Sequence, residues 1–136
     1  MKGANGPLPL IKRGRGFTLV ELLITLAIIA IIAVIGVPMY TKYVATARQQ
    51  DAKGQLAAIR QAQEIYKLQY SSYTNNTALL SGWHATLKSY TFDITAATAT
   101  TFTARARGNI DGDATEDVWT IDQNGNLVNS TNDVES

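Results

Sequence analysis

Hydrophobic and polar positions fall into three successive patterns along the chain. From Leu22 to Val37, sixteen residues run with only Thr25 and Gly36 not aliphatic, and extending back to Phe17 makes twenty-one. As a helix this run spans about 30 Å, the thickness of one bilayer core. Its eleven Leu, Ile and Val residues contribute roughly −3 to −7 kcal/mol to insertion, against about +3 kcal/mol for the single acid, Glu21, near its edge. The pattern predicts a transmembrane helix over 17–40.

Beyond Pro38 the period becomes that of an amphipathic helix, predicted over 41–70. Ala52, Leu56, Ile59, Gln63, Tyr66 and Tyr70 recur three and four residues apart, which places them on one face. Arg60 and Glu64 stand four apart and Glu64 and Lys67 three apart, the spacing of supporting charge pairs. Residues 71–88 read as a loop with a short helical turn near 77–80. Over 89–130 the period drops to two, with Tyr90, Phe92 and Ile94 in one set and Phe102, Ala104 and Ala106 in another, the pattern of half-buried strands. Asn124-Gly125 is a strong hairpin turn, expected between strands at 118–123 and 126–129. The predicted fold class is α+β: a long N-terminal helix, transmembrane and then amphipathic, packed against a small antiparallel sheet. The globular domain is expected over 41–136.

Charge refines this division. The net charge of +1 hides a basic segment over 1–16 (+4), a second over 42–107 (+5) and an acidic one over 108–136 (−7). Lys12, Arg13 and Arg15 before the apolar run place that end in the cytoplasm. The bases of 42–107 are interspersed with Asp51, Glu64 and Asp93, which favours a solvated helix face over a nucleic-acid track. With no cysteine and one histidine, His84, the chain has no disulfide framework, no thiol nucleophile and no means of assembling a nucleophile, base and orienter. An enzyme is therefore disfavoured, and His84 reads as a surface or half-buried residue.

Two ordinary explanations of the apolar run leave Glu21 without a purpose. A cleaved secretory signal would use the small triplet Ala45-Thr46-Ala47, which lies eight residues beyond Val37. A plain signal anchor fits the hydropathy, yet a carboxylate in hydrocarbon is costly and by default marks function.

The string Arg13-Gly14-Arg15-Gly16-Phe17-Thr18-Leu19-Val20-Glu21-Leu22-Leu23 resembles the processing signal of type IV prepilins and pseudopilins. The resemblance implies that a membrane peptidase and methyltransferase removes a leader over 1–16 by cutting between Gly16 and Phe17. The same enzyme N-methylates Phe17. It implies further that Glu21 pairs with the amine of a neighbouring subunit's Phe17 as inner-membrane machinery assembles a helical homopolymer. Glycine before the cut offers no side chain to obstruct the peptidase. Cutting before the apolar run leaves it attached, so the product stays in the membrane until assembly. Gly36 and Pro38 mark an expected helix kink, since proline removes one helix hydrogen bond and clashes with the preceding turn.

The expected function is therefore a structural subunit of a type IV pilus-like filament, held in the inner membrane as precursor and extracellular once assembled. The alternatives are the major pseudopilin of a type II secretion system, forming a periplasmic fibre, and a membrane-tethered binding domain that never polymerises. Asp111, Asp113 and Asp117 place carboxylates at alternate or nearby positions in an acidic loop, which suits calcium. Glu116 stands where a calcium loop would have its turn glycine. A simple acidic turn begun by Asn109 and Asp111 with Gly112 is the competing reading. No other cofactor is expected.

Overall fold

The computed structural model describes residues 16–134. Apart from Gly16, the expected leader lies outside the described residues. One helix, α1 (Leu19–Tyr70), is followed by a short 3-10 turn (Thr77–Leu79) and four strands: β1 (Thr91–Ala97), β2 (Phe102–Gly108), β3 (Asp117–Asp122) and β4 (Leu127–Thr131). The chain divides into two compact units between Gly36 and Val37.

In the first unit α1 carries an 18-residue window of mean hydropathy 2.9, none of it buried. Leu22, Leu23 and Ile24, about 100° apart in turn around the helix, are all more than half exposed. The helix remains continuous through Gly36 and Pro38. Proline has no N–H to offer the carbonyl of Val34, and Thr41 Oγ1 donates to the Pro38 carbonyl at 2.9 Å.

In the second unit the strands form an antiparallel meander in the order β1-β2-β3-β4. Asp93 lies opposite Arg105, Ala106 opposite Trp119, and Ile121 opposite Leu127. A register shift near Ile94 and Ala96 and another between Val118 and Trp119 interrupt the ladders. The core combines the predicted helix face, with Ala52, Leu56 and Ile59 fully buried, and the inward side of β2, with Phe102, Ala104 and Ala106. Burying side chains such as Leu56, Ile59 and Phe102 contributes about 1.5–3 kcal/mol each. The small residues at 104, 106 and 108 let elements approach closely. At Gly108 a Cβ would lie 1.9 Å from the Ser89 carbonyl oxygen, so no other residue fits without moving backbone.

Some positions depart from the sequence expectation. Tyr70, assigned to the buried helix face, is 63% exposed and stacks at 4.4 Å between ring centroids on Tyr66, which itself packs against the core. The buried face instead gains Ala45, Gln49 and Ala62. Gln63, fully buried, accepts from the Thr74 backbone N–H at 3.1 Å and donates to the Thr74 carbonyl at 2.6 Å. It thus fixes the chain after the helix as a paired strand would. The Asn124-Gly125 turn forms with Gly125 at φ +86°, but the strands stop at Asp122 and resume at Leu127. Asp122 shortens them by capping the turn, accepting from Asn124 N and Asn126 N, both at 2.9 Å. These bonds, led by that from Asn126, hold its carboxyl below the usual carboxylate range.

Candidate functional site

The head of α1 brings together the residues of the expected cut. Gly16, Phe17, Thr18 and Glu21 line one shallow groove, and Phe17 is 84% exposed. The backbone N–H of Thr18 donates to Glu21 Oε2 at 2.9 Å and its hydroxyl to the same oxygen at 3.0 Å; Glu21 N–H donates back to Thr18 Oγ1 at 3.1 Å. This is a reciprocal capping box, in which the first helical donors are satisfied by side chains. Its signal, Thr18-x-x-Glu21, is legible in the sequence and gives Glu21 a local role beside the assembly role that the resemblance implies. A Cβ built on Gly16 meets nothing within 4 Å, and the same holds for Gly36. Among the described residues, therefore, nothing in the fold demands glycine at position 16.

The acidic loop divides its carboxylates between two jobs. Asn109 Oδ1 accepts from Gly112 N at 2.6 Å, Asp111 Oδ1 from Asp113 N at 3.1 Å, and Asp113 Oδ1 from Thr115 N at 2.5 Å. Gly112 at φ +96° completes this string of turns, as the simple-turn reading expects. Asp111 and Asp113 also converge with Asp133, with one carboxylate oxygen from each within 4.8 Å of the others. Three hard oxygen donors of this kind suit a divalent cation such as calcium.

Asp117 does not join them. It is fully buried, and its Oδ1 accepts from Gln49 Nε2 at 2.8 Å, Asn129 Nδ2 at 3.3 Å and Asp133 N at 3.4 Å. Its Oδ2 accepts from Trp119 Nε1 at 2.6 Å and from the Tyr90 hydroxyl. Five donors, from α1, Tyr90 just before β1, β3, β4 and the C-terminal segment, thus converge on one carboxylate, which is how a buried charge is tolerated. Burial and the Asp117 hydrogen bond push the Tyr90 phenol far above its ordinary range, so Tyr90 stays a donor. Asp133, equally buried, accepts from Ile110 N at 3.0 Å. The sequence placed Asp117 in the loop because it is adjacent to Glu116; the register of β3 carries it inward instead.

Chemically, then, the molecule presents an apolar helix open on all sides, a capped acid at its head beside an unobstructed glycine junction, and a small sheet domain closed by a carboxylate network. That combination defines a small antiparallel sheet domain carried on one long helix whose N-terminal part is long and apolar enough to cross a membrane. Comparison with known proteins agrees. Residues 11–37 match the prokaryotic N-terminal methylation motif, and residues 38–117, more than half the chain, match the family described as type IV minor pilin ComP, DNA uptake sequence receptor. The chain belongs to the type IV pilin family.

It is 44% identical over 66 residues to the type IV major pilin protein PilA of Myxococcus xanthus, a match covering 46% of this chain and 30% of that one. Against the type IV wide pilus major component PilA4 of Thermus thermophilus it is 36% identical over 93 residues, covering 67% and 71% of the two chains. The chain thus spans less than a third of the Myxococcus protein but over two thirds of the Thermus one. The non-core minor pilin PilV of Neisseria meningitidis shares the fold with a TM-score of 0.56 at 20% identity, over 67% of this chain and 91% of that one. The members of this family are structural, non-enzymatic proteins.

Proposed function

We propose that the chain is a polymerising subunit of an extracellular type IV pilus, cut between Gly16 and Phe17, methylated on the new amine and drawn from the inner membrane into a helical homopolymer. The observation that carries this reading is an apolar helix window with no residue buried and a carboxylate at its head. A surface of that kind is stable only in lipid or among like helices. The anchor before assembly and the fibre core afterwards are the two environments that provide it. Glu21, held by its own cap in the single subunit, stands four residues after Phe17 and can exchange the cap for a neighbour's amine.

The test is to shear fibres from cells, measure the intact mass of the subunit and image the fibres by electron cryo-microscopy. The expected subunit begins at Phe17 with one methyl group; a retained leader overturns the reading. Short fibres confined to the periplasm would favour the major pseudopilin, the second reading.

A DNA-receptor role, suggested by the description of the matching family, has less support. Arg105 is paired with Asp93 at 2.8 Å, Arg60 Nε donates to the Gln123 carbonyl, and Lys53 sits 4.2 Å from the Trp119 ring centroid. Three bases of the basic segment are thus engaged within the fold.

A further inference from the structure

Two shallow grooves open against the first three turns of α1 beyond the apolar run. One, of about 270 Å³, is lined by Tyr40, Thr41, Val44, Arg48, Ile110 and Asp111. The other, of about 200 Å³, shares Thr41 and Asp111 and is flanked by Pro38 and Lys42. We propose that the larger groove binds the headgroup of a zwitterionic phospholipid while the subunit is held in the membrane, with the phosphate on Arg48 and the amine on Asp111.

Position is the first argument. The apolar run ends at Val37, so Tyr40 lies about 4.5 Å further along the helix and Arg48 about 16 Å. The headgroup layer occupies roughly 5–8 Å on each side of the hydrocarbon. Helical side chains lean toward the N-terminus, and arginine stems reach back along apolar surface to place the charge at the interface. Arg48 and Tyr40 line the same groove, so the charge is presented beside the ring. Met39, Tyr40 and Tyr43 are 69–74% exposed, and tyrosine is a residue favoured at the membrane interface.

Charge complementarity is the second. Arg48 Nη1 donates to the Ile110 carbonyl, which fixes the guanidinium at the groove that both residues line. No ion pair joins Arg48 to Asp111 among the described residues, although both line the same groove. A guanidinium suits a phosphate through paired N–H groups. A carboxylate and an aromatic ring suit an ammonium. One groove that presents both charges separately matches a headgroup carrying both, and a purely anionic headgroup would meet Asp111 as a like charge.

The inference rests on the membrane stage of the proposed function, and the experiment separates the two. The full mature chain is prepared in detergent with chelator present, so that no cation occupies Asp111. It is then offered phosphatidylethanolamine and phosphatidylglycerol of identical acyl chains, and retained lipid is read by native mass spectrometry. The expected result is a preference for phosphatidylethanolamine of about fivefold, the size an exposed ion pair carries. Asp111→Asn keeps the acceptor for Asp113 N and should abolish the preference while still retaining lipid. Arg48→Gln should lower retention of both lipids. Should Arg48→Gln fail to fold, Asp111→Asn alone decides. Equal retention of the two lipids by the wild-type chain, or a preference unchanged in Asp111→Asn, overturns the groove. Absence of any retained lipid overturns the membrane anchor itself.

Discussion

Glu21 Oε2 lies 2.9 Å from the backbone nitrogen of Thr18 and 3.0 Å from its hydroxyl, so the acid of the apolar run is satisfied within a single subunit. Assembly by charge pairing must therefore exchange these bonds for a neighbour's amine. Glu21→Gln keeps an acceptor for the cap and removes the charge; Glu21→Ala removes both, costing about 0.5–2 kcal/mol at the helix head. Both variants should be inserted and cut normally. If pairing drives assembly, both should lower fibre yield by at least about tenfold, since an unpaired buried amine is worth several kcal/mol. Normal fibres from Glu21→Gln would show that only the cap matters.

Gly108 and Gly16 make opposite demands. At Gly108 a Cβ would collide with Ser89 backbone, whereas at Gly16 it would meet nothing within 4 Å. Gly108→Ala should cost at least about 2 kcal/mol and lower Tm by roughly 10 °C. Gly16→Val should leave Tm unchanged and the precursor uncut. Thermal melts and intact mass of the two variants check this together, and a stable, normally melting Gly108→Ala would refute the close approach.

Alkaline pH should weaken the domain through Tyr90. Its folded-state pKa is raised by burial and Asp117, so its stabilising contribution is full below the ordinary tyrosine value near 10. Above that value the unfolded chain ionises first, and stability is lost progressively as pH climbs toward the folded pKa. Tyr73, raised by burial and its bond to Glu64, adds in the same sense. Tm followed from pH 8 to pH 11.5 should fall more steeply in the wild-type chain than in Tyr90→Phe. Equal slopes would show that the phenol is not shielded.

Calcium remains a proposal for the trio Asp111, Asp113 and Asp133. If it binds, Tm should rise by a few degrees when calcium exceeds its Kd about tenfold and fall back with chelator. Asp111→Asn with Asp113→Asn should abolish the response. Asp117→Asn should instead lower Tm equally with and without calcium, because its five donors belong to the fold. A calcium response surviving the double variant would move the site elsewhere; no response in the wild-type chain would leave the loop a simple turn.

The membrane-length run, the capped acid and the glycine junction were legible in the sequence because each is a local matter. A bilayer is measured by consecutive residues, a cap by a spacing of three, and a cut by its two neighbours. The helix face carrying Ala52, Leu56 and Ile59 and the alternation of β2 were equally legible, because burial follows backbone periodicity. What only the tertiary structure decided lies where distant segments meet. Asp117 finds Gln49 across 68 residues, and Asp133 reaches Ile110 across 23. Gly108 meets Ser89, and Tyr70 is left exposed. A carboxylate in a loop and one in a core are the same letter. The difference is made by strand register and by the return of the C-terminal segment, which set how many donors surround the charge once water has been removed.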